Sequence, residues 1–362
     1  MNRRRQVQLV GLIGLVVGAA LAIRLLVPND WDPSAFIAFG EDNAATLEYG
    51  RALLGEVAVR EAQGHDGKFF FVLANDPLLL DPAHNAAALD RPAYRAQRII
   101  YPAISGVLGA LPPTGVAWGM VIANIAFLGM GTLATAALAS SYGASPWLGL
   151  AFALNLGLIN EMYVDGAGIA ALALGVTGVW MADRRNWGWA IAAFAAAALA
   201  REVMLLMPLG LIAWAIVRRR PARWSLLAAP AAAVLLWGVY VRVRLGWPPE
   251  QAQIQEITLV PFSGLIAAAR LWPQDPANLA AGIATLAIAV AFTIRALKSD
   301  LSLSWACLGF VALMPFLTGQ VWLQWHDISR ALAPIFLAFV VQVLTPADRQ
   351  RQPAEELAVR SA

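Results

Sequence analysis

The stretch "MNRRRQVQLVGLIGLVVGAALAIRLLV", residues 1–27, decides the fold class of this chain. Residues 3–5 are arginines, and an apolar run follows them from Leu9 to Val27. The run has about the length of ~20 residues that a helix needs to cross a bilayer, and no small-residue cleavage site of a signal peptide follows it. We therefore predict an uncleaved first transmembrane helix. Its N-terminus is expected in the cytoplasm, because basic residues favour that side.

The composition of the 362 residues favours the same class of protein. Hydrophobic residues make up 59% of the chain and charged residues 14%, whereas a soluble domain has about 25% charged residues. The net charge of +3 is small and no long basic stretch with interleaved aromatics occurs, so nucleic acid is not an expected partner. Cys307 is the single cysteine, which excludes a disulfide framework.

Further apolar segments follow the first one along the chain. They cover roughly residues 97–111, 115–139, 147–160, 166–182, 187–200, 203–217, 224–241, 279–296, 303–318 and 329–345. Because a helix satisfies its own backbone hydrogen bonds in lipid, we predict an all-α polytopic membrane protein. It has about ten transmembrane helices in one domain, residues 1–345. The polar tail, residues 346–362, is predicted to be cytoplasmic and disordered.

Basic turns predict how the helices are oriented. Residues 183–186, 218–223 and 294–298 are rich in arginine, so they are expected in the cytoplasm, together with both termini. Counting every apolar segment as a crossing puts residues 183–186 on the opposite side. The short segment at 97–111 accounts for this conflict if it enters the membrane and returns, or only lines a cavity.

Two polar stretches then lie outside the cytoplasm. Residues 28–97 form a long first extracytoplasmic loop, and residues 242–278 form a second. Within the first, residues 42–62 have the spacing of an amphipathic helix lying on the membrane surface. Residues 64–77, "GHDGKFFFVLANDP", combine an acid, a base and an imidazole with an aromatic run. Such aromatic side chains can stack against a sugar or lie on the lipid surface.

Ionisable residues at the segment ends fall mainly on this outer side. They are Asp66, Lys68, Asp90, Arg95, Arg98, Glu161, Asp165, Arg201, Glu202, Arg242, Arg244, His326, Asp327 and Arg330. Charged groups at membrane depth are costly and usually face a functional cavity, although any one of them fits the water interface equally well. Arginines recognise phosphate and a carboxylate can accept the proton of a hydroxyl. The set as a whole fits a lipid-linked phosphosugar.

Two motifs carry a resemblance to a known family. They are residues 64–77 and the segment "YRAQRIIYP", residues 94–102. Both resemble the first outer loop of bacterial membrane proteins of the GT-C glycosyltransferase superfamily. Residues 198–206 and 326–336 resemble later elements of such chains. The resemblance implies a GT-C-like bundle with a long first extracytoplasmic loop, in the bacterial plasma membrane.

The resemblance also implies roles for individual residues. Asp66 is the expected catalytic carboxylate, which engages the acceptor hydroxyl, sometimes with a divalent cation. The expected substrate-binding residues are His65, Lys68, Tyr94, Arg95, Arg98, Arg201, Glu202, Asp327 and Arg330. Other interpretations remain open. Asp66 is a turn residue before glycine, and Arg95 and Arg98 anchor lipid headgroups. Arg201 and Glu202 form a self-contained ion pair at a hairpin, and Asp327 only begins a helix. No spacing of histidines or cysteines predicts a metal site.

Two positions depart from the family pattern. His65 stands where an aromatic residue is expected, and Lys68 stands where a glutamine is expected. Lys68 either pairs with Asp66, which makes that carboxylate a weaker base, or binds a phosphate. Glu41 and Asp42 follow the first helix more closely and are rival candidates for the catalytic acid.

The expected reaction is transfer of a sugar from a polyprenyl-phosphate-linked donor to an envelope lipid, glycan or protein. The chain has no GxGxxG or Walker A motif, which argues against an enzyme that uses nucleotide sugars in the cytoplasm. A transporter or flippase of a lipid-linked or anionic substrate is the main alternative, because it also needs many helices and intramembrane charges. A catalytically inactive GT-C-like partner protein is the third, because Lys68 is so close to Asp66.

Overall fold

The computed structural model describes residues 2–110, 114–246, 257–347 and 350. About three quarters of these residues lie in helices, and the regular structure is nearly all α. The α-helices are α1 (Arg3–Leu26), α2 (Ser34–Ile37), α3 (Ala44–Leu54), α4 (Gly67–Asn75), α5 (Pro82–Ala88), α6 (Pro92–Arg95), α7 (Ile100–Leu108), α8 (Gly115–Ser141), α9 (Leu150–Ala153), α10 (Leu156–Met162), α11 (Gly168–Asp183), α12 (Trp187–Ala200), α13 (Leu206–Val217), α14 (Ser225–Leu245), α15 (Ser263–Ala269), α16 (Pro276–Leu297), α17 (Ser302–Leu313), α18 (Gly319–Leu323), α19 (Trp325–Ala331) and α20 (Ala333–Leu344). Short 3-10 helices cover Val27–Asn29, Pro146–Gly149, Glu202–Leu205, Trp272–Gln274 and Met314–Phe316. The strands β1 (Phe39–Gly40) and β2 (Val59–Arg60) pair in parallel.

Among the described residues, four helices are long and apolar enough to cross a bilayer: α1 with the turn that follows it, α8, α14 and α16. The pair α19 and α20 is a fifth candidate, with a bend of 70° between its two parts. α11, α12, α13 and α17 are also apolar but shorter. The chain is therefore a helical protein whose apolar helices favour insertion into a membrane. The ten crossings stay a prediction.

Glycines allow α1 to pack closely against α8. Gly11, Gly14 and Gly18 of α1 face α8, and a Cβ added to Gly14 would lie 2.6 Å from the Cβ of Thr132. Helices that pack in lipid are often joined through such small residues, because these allow the two backbones to approach.

One end of the bundle gathers the N-terminus and the ends of α8 and α11. Arg3 donates to the carbonyl of Ser140 at the end of α8 over 3.2 Å. The Tyr142 hydroxyl lies 2.7 Å from the hydroxyl of Ser302, which donates to Asp183 over 2.6 Å. These contacts place the first residue of α17 beside the last residues of α8 and α11.

The remaining basic turns lie at the same end. Arg218, after α13, donates to the carbonyl of Ser299, close to the start of α17, over 2.9 Å. Arg223, before α14, lies over the ring of Trp187 at the start of α12, 4.3 Å from the ring centroid. We call this region the basic end. The three arginine-rich turns therefore share one end, as the sequence predicts.

α7 is the short segment to which the sequence pattern assigns the conflict in the count of crossings. Its nine residues rise roughly 13 Å, which is far less than the ~30 Å of a hydrocarbon core. Gly109, just after α7, lies against Gly115 at the start of α8, where an added Cβ would be 2.4 Å from the Gly109 oxygen. α7 is therefore too short to cross, and α8 leads from its end of the bundle to the basic end.

Residues 28–97 fold into a set of short helices rather than an open loop. Of the amphipathic helix predicted at 42–62, α3 is helical, whereas the later residues include β2. The buried face of α3 packs against the protein: the ring of Tyr49 meets that of Phe71 edge-on, with centroids 6.2 Å apart. This face is therefore covered by the chain itself and not by lipid.

The aromatic run at Phe69, Phe70 and Phe71 forms part of the core. These side chains are 2%, 3% and 0% exposed. The expectation that the run is open to a sugar or to lipid is wrong, because α4 is buried among other helices and uses the rings to fill that space.

Side chains of α14 hold part of this region by its backbone. Trp237, Tyr240 and Arg244 donate to backbone carbonyls over 2.8, 2.5 and 2.6 Å. Their acceptors are, in the same order, Ala96, Leu78 and Leu79. The C-terminal half of α14 therefore fixes the backbone on either side of α5 and α6.

Two predicted segments lie partly outside the described residues. They are the second outer loop at 242–278 and the tail at 346–362. α15 belongs to the first of them. The disorder of the tail stays a prediction.

Candidate functional site

A sharp turn leads into α4. Gly64 has a φ of +63°, in the left-handed region that favours glycine, and an added Cβ would lie 2.1 Å from the carbonyl oxygen of Ala38. The backbone N–H of His65 donates to the same carbonyl over 3.1 Å. The turn therefore requires glycine at this position, and it places His65 and Asp66 directly before α4.

Asp66 forms an ion pair with Arg95, in which Oδ1 lies 2.9 Å from Nη1. Arg95 also donates from Nε and Nη2 to the two oxygens of Asp90, each over 2.9 Å. Its guanidinium lies 4.1 Å from the centroid of the Phe69 ring. The Arg95 side chain is only 9% exposed, whereas those of Asp66 and Asp90 are 30% and 35% exposed. One buried arginine thus joins two carboxylates that remain accessible.

Tyr94 and Arg98 continue the second motif. Nη2 of Arg98 donates to the Tyr94 hydroxyl over 2.5 Å, and the guanidinium lies 4.8 Å from the centroid of that ring. Nε of Arg98 is 3.4 Å from Oε2 of Glu202. Arg98 therefore connects the segment after α6 to the segment after α12.

Glu161 is the central carboxylate of the other half of the site. Its side chain is 2% exposed, and its Oε1 lies 3.3 Å from Nη1 of Arg201 and 3.1 Å from Nε of Arg330. Its Oε2 accepts from the backbone N–H of Gly168 over 3.1 Å. Arg330 also lies 3.5 Å from Asp327. The sequence indicates no role for Glu161, because its two partners lie far away in the chain.

Arg201 and Glu202 do not form the self-contained ion pair that the sequence left open. Arg201 is paired with Glu161, whereas Glu202 is paired with Arg98. Arg201 has an extended backbone, with φ −153° and ψ 123°, between α12 and the following 3-10 helix. Neighbouring side chains in such a segment point to different sides, so each finds a partner on another element.

Lys68 is directed into the protein. It is 2% exposed, it donates to the carbonyl of Gln63, and its ammonium lies 4.7 Å from the Phe69 centroid. The ion-pair partner of Asp66 is Arg95. Contact between Lys68 and a phosphate therefore requires the side chain to leave this position.

Positive charge surrounds Asp66 and His65. Burial alone would raise the pKa of Asp66, but nearby guanidiniums hold it well below its usual range. These guanidiniums belong to Arg95, Arg98, Arg330 and Arg201, which we call the arginine cluster. Burial, and then the charges of Arg330 and Arg60, lower the pKa of His65 to about 4. At neutral pH Asp66 is therefore ionised and His65 is neutral.

A buried polar group lies behind the turn. Asp165 is fully buried, and its Oδ1 accepts from Asn124 over 3.0 Å and from the Tyr101 hydroxyl over 3.2 Å. Burial raises the pKa of Asp165 to about 7. A Cβ added to Gly67 would lie 3.1 Å from the Cβ of Asp165, so this carboxyl packs against the residue that follows Asp66. The sequence places Asp165 among the outer ionisable residues but assigns it no role.

The surroundings of Asp66 do not fit a divalent cation. The guanidiniums of the arginine cluster act strongly on Asp66, and they repel a cation. Across the described ranges, no three His, Cys, Asp or Glu side chains are grouped so that they could hold a metal ion. The chemistry below therefore uses only the side chains of this chain.

The structure brings most of the predicted site residues together. Ion pairs or charge–charge interactions link Asp66, Arg95, Arg98, Arg201, Glu202, Asp327 and Arg330. Glu41 and Asp42, the rival acids, are exposed beside β1, where their N–H groups donate to backbone carbonyls. The arginine cluster can bind an anion, and the ionised Asp66 beside it can accept a proton. No protein-family model, curated protein or solved structure matches this chain.

Proposed function

We propose that this chain is a membrane glycosyltransferase that moves a sugar from a polyprenyl-phosphate-linked donor to an acceptor in the cell envelope. The observation that carries the proposal is the arginine cluster around the ionised Asp66. Arg95 contacts Asp66, and the other three guanidiniums act on it while paired with Glu202 or Glu161. Such a set of charges suits an anionic group and a proton acceptor in the same site. The resemblance of residues 64–77 and 94–102 to GT-C enzymes supports the same reaction.

The arginines already have carboxylate partners, so the donor phosphate binds by exchange. A phosphate oxygen takes the place of Asp66 at Arg95 or of Glu202 at Arg98, and the displaced carboxylate becomes available. When the bond between the sugar carbon and the phosphate oxygen breaks, negative charge grows on the leaving phosphate. Arg95 and Arg201 stabilise that charge without moving, because their pairs with Asp90 and Glu161 keep them in place.

The acceptor hydroxyl attacks the sugar carbon and loses its proton to the site. Asp66 is the proton acceptor that the family resemblance favours, and neutral His65 lies next to it. Asp66 is ionised and His65 is neutral at neutral pH. The guanidiniums that lower the pKa of Asp66 keep it a weak base until a phosphate takes its place at Arg95. One displacement of this kind inverts the configuration at the sugar carbon.

Orientation in the membrane follows from the charges. The basic end is proposed to face the cytoplasm, because arginine-rich turns stay on that side. The arginine cluster then lies at the extracytoplasmic face of the bacterial plasma membrane, with both termini in the cytoplasm.

One observation favours a second candidate, a transporter of a lipid-linked or anionic substrate. The helix pair of α19 and α20 is bent by 70°, and Arg330 lies on α19 just before the break. Broken helices that carry charged residues at the break are typical of transporter binding sites.

The test is release of free polyprenyl phosphate by purified protein in lipid, given a panel of polyprenyl-phosphate sugars and an envelope extract. Wild type is expected to release it, and Asp66→Asn is expected to lose at least ~100-fold in rate, as does removal of a general base. Asp30→Asn is the matched control, because Asp30 is exposed and its left-handed backbone suits asparagine equally.

Equal rates for wild type and Asp66→Asn would move the proton acceptor to His65, Glu41 or Asp42. A protein that releases nothing, but moves the intact donor between the leaflets of a liposome, would replace the enzyme with the transporter. Thermal unfolding of each variant shows whether a lost activity reflects a lost fold.

A further inference from the structure

A cluster of buried oxygens lies behind the turn that carries Asp66. Tyr101, Asn124 and Asp165 are each 0% exposed. The Asn124 Nδ2 lies 2.8 Å from the Tyr101 hydroxyl and 3.0 Å from the Asp165 Oδ1, and these two oxygens are 3.2 Å apart. Ser105, also 0% exposed, follows Tyr101 by one turn of α7 and so lies on the same face of that helix. We call these four side chains the oxygen cluster.

Three oxygens of this cluster have no hydrogen-bond partner within the part of the chain that the structure describes. They are Oδ2 of Asp165, Oδ1 of Asn124 and Oγ of Ser105. The first two are bonded to the same carbons as the hydrogen-bonded Oδ1 and Nδ2, so covalent geometry keeps them beside those atoms. Buried polar atoms without a partner are rare in native proteins and can mark a bound ion or water.

The oxygen cluster has more acceptors than protons. The amide of Asn124 directs its two protons to the Tyr101 hydroxyl and to Oδ1 of Asp165. The Tyr101 hydroxyl has one proton and two acceptors within reach, Oδ1 of Asp165 and the carbonyl of Met120, each at 3.2 Å. Oδ2 of Asp165 and Oδ1 of Asn124 therefore need a positive group or an added donor between the helices.

The charge of Asp165 shows which of these it is. None of the ion pairs formed by the described residues includes Asp165. Arg60 acts on it through its charge, but Nη2 of Arg60 donates to the carbonyls of Ala35 and Tyr163 over 3.0 and 2.7 Å. A buried carboxylate is costly unless it is paired, and a water molecule carries no charge to pair with it. One carboxylate among neutral oxygens calls for a single positive charge.

We propose that the oxygen cluster binds one monovalent metal cation, with Oδ2 of Asp165, Oδ1 of Asn124 and Oγ of Ser105 as ligands. Carboxylate, amide and hydroxyl oxygens are the ligands that hard cations prefer. A proton on Asp165 takes the place of the cation when the cation is absent. The site is separate from the surroundings of Asp66, where guanidiniums repel a cation, and it does not depend on the proposed transfer reaction.

The test measures Tm of the full-length protein in detergent at pH 8, in NaCl, KCl or choline chloride of equal ionic strength. Choline is too large for the cluster, so it reports the effect of ionic strength alone. Wild type is expected to unfold a few degrees higher in NaCl or KCl, with a shift that grows with the logarithm of the cation concentration. The salt that gives the larger shift identifies the ion. At pH 5 the shift is expected to disappear, because protons then occupy the Asp165 carboxylate, whose pKa is about 7.

Three variants separate this site from general effects of salt. Asp165→Asn removes the charge and is expected to lose the response. Ser105→Ala removes an oxygen without a protein partner, so its Tm in choline chloride is expected to match wild type while its cation affinity falls about tenfold. Asp183→Asn is the matched control, because Asp183 also accepts from a serine hydroxyl, that of Ser302, but lies at the basic end. It is expected to respond as wild type does.

Four results would overturn the proposal. They are equal Tm of wild type in the three salts at pH 8, a response that persists in Asp165→Asn, an unchanged response in Ser105→Ala, and a shift at pH 5 as large as at pH 8. If Asp165→Asn does not fold, Ser105→Ala and the two pH values of wild type decide.

Discussion

Glu161 binds two arginines through a single oxygen while almost fully buried. Replacing it with glutamine removes its charge and leaves Arg201 and Arg330 without a counter-ion there. Loss of one partner of a buried ion pair costs about 3–5 kcal/mol, because the remaining charge is uncompensated. We expect Glu161→Gln to lower the free energy of unfolding by about that amount, measured by thermal or denaturant unfolding in detergent.

Two controls belong with this measurement. Glu48→Gln makes the same change at an exposed position on α3 and is expected to leave stability unchanged. Glu161→Gln combined with Arg201→Gln is expected to recover part of the loss, because one unpaired charge is also removed. A double variant as unstable as the sum of both single variants would contradict the proposed pairing.

Asp165 predicts a dependence of stability on pH. Its pKa in the folded protein is about 7, above the ordinary value of 3.8. Between these two values the folded state holds a proton that the unfolded state lacks, so this group makes stability fall as pH rises from about 4 to about 7. Asp165→Asn cannot ionise and is expected to lose that dependence.

The measurement is Tm at pH 8 and at pH 4 for wild type, Asp165→Asn and the control Asp30→Asn. Asp165→Asn is expected to unfold a few degrees above wild type at pH 8 but not at pH 4. If its Tm is below that of wild type at pH 8 in choline chloride, Asp165 is stabilising as an anion, and the raised pKa is wrong.

At the scale of residues, the sequence predicts the members of the site better than their pairing. Asp66, Arg95 and Arg330 are recognisable because charged residues stand at the ends of apolar segments. Their partners depend on how separate helices meet, and nothing local in the chain specifies that Glu161 joins Arg201 to Arg330. The aromatic run before Val72 has the composition of an exposed patch and of a core equally, so only its burial decides between them.

Among the elements, the contact between α1 and α8 depends on Gly14. Gly14→Ala places a Cβ 2.6 Å from that of Thr132, so the two helices must separate. We expect a lower Tm for this variant. Gly238→Ala is the matched control, because α14 has nothing within 4 Å of an added Cβ at that position. Unchanged stability in Gly14→Ala would show that α1 shifts at no cost.

The length of an apolar segment predicts the long helices of this chain but not the role of the short ones. The apolar length of α1, α8, α14 and α16 predicts each helix directly, because the bilayer sets a minimum span. α7 and the broken region of α9 and α10 are apolar but short, and apolarity alone does not distinguish a crossing from a segment buried in protein. α3 has the amphipathic pattern of a surface helix, yet the rings of α4 supply its apolar partner.

For the whole molecule, the decisive prediction is its orientation in the membrane. Cys307 is fully buried, so single cysteines can be introduced in a Cys307→Ser background. Glu41→Cys on the site side and Arg219→Cys at the basic end are both at exposed positions. A membrane-impermeant maleimide on intact bacterial cells is expected to label the first, and to label the second only after permeabilisation.

Labelling of Arg219→Cys in intact cells, with Glu41→Cys protected, would invert the orientation and put the site in the cytoplasm. Protection of both positions until permeabilisation would place both ends on one side of the membrane, against the arrangement proposed here. The distribution of arginines predicts this orientation from sequence alone. The number of crossings does not follow from it, because several helices are shorter than a bilayer.

The tethering of residues 78, 79 and 96 by α14 has a consequence for how this protein can diverge. The acceptors are backbone carbonyl oxygens, which every amino acid possesses. Their donors are Trp237, Tyr240 and Arg244. Substitutions at residues 78, 79 and 96 therefore keep these hydrogen-bond acceptors. Substitutions of the three donor side chains on α14 remove the hydrogen bonds. Relatives of this chain should vary freely at position 78, which is exposed, whereas packing constrains the fully buried Leu79 and Ala96. The three positions on α14 should stay constrained because their side chains hold the backbone.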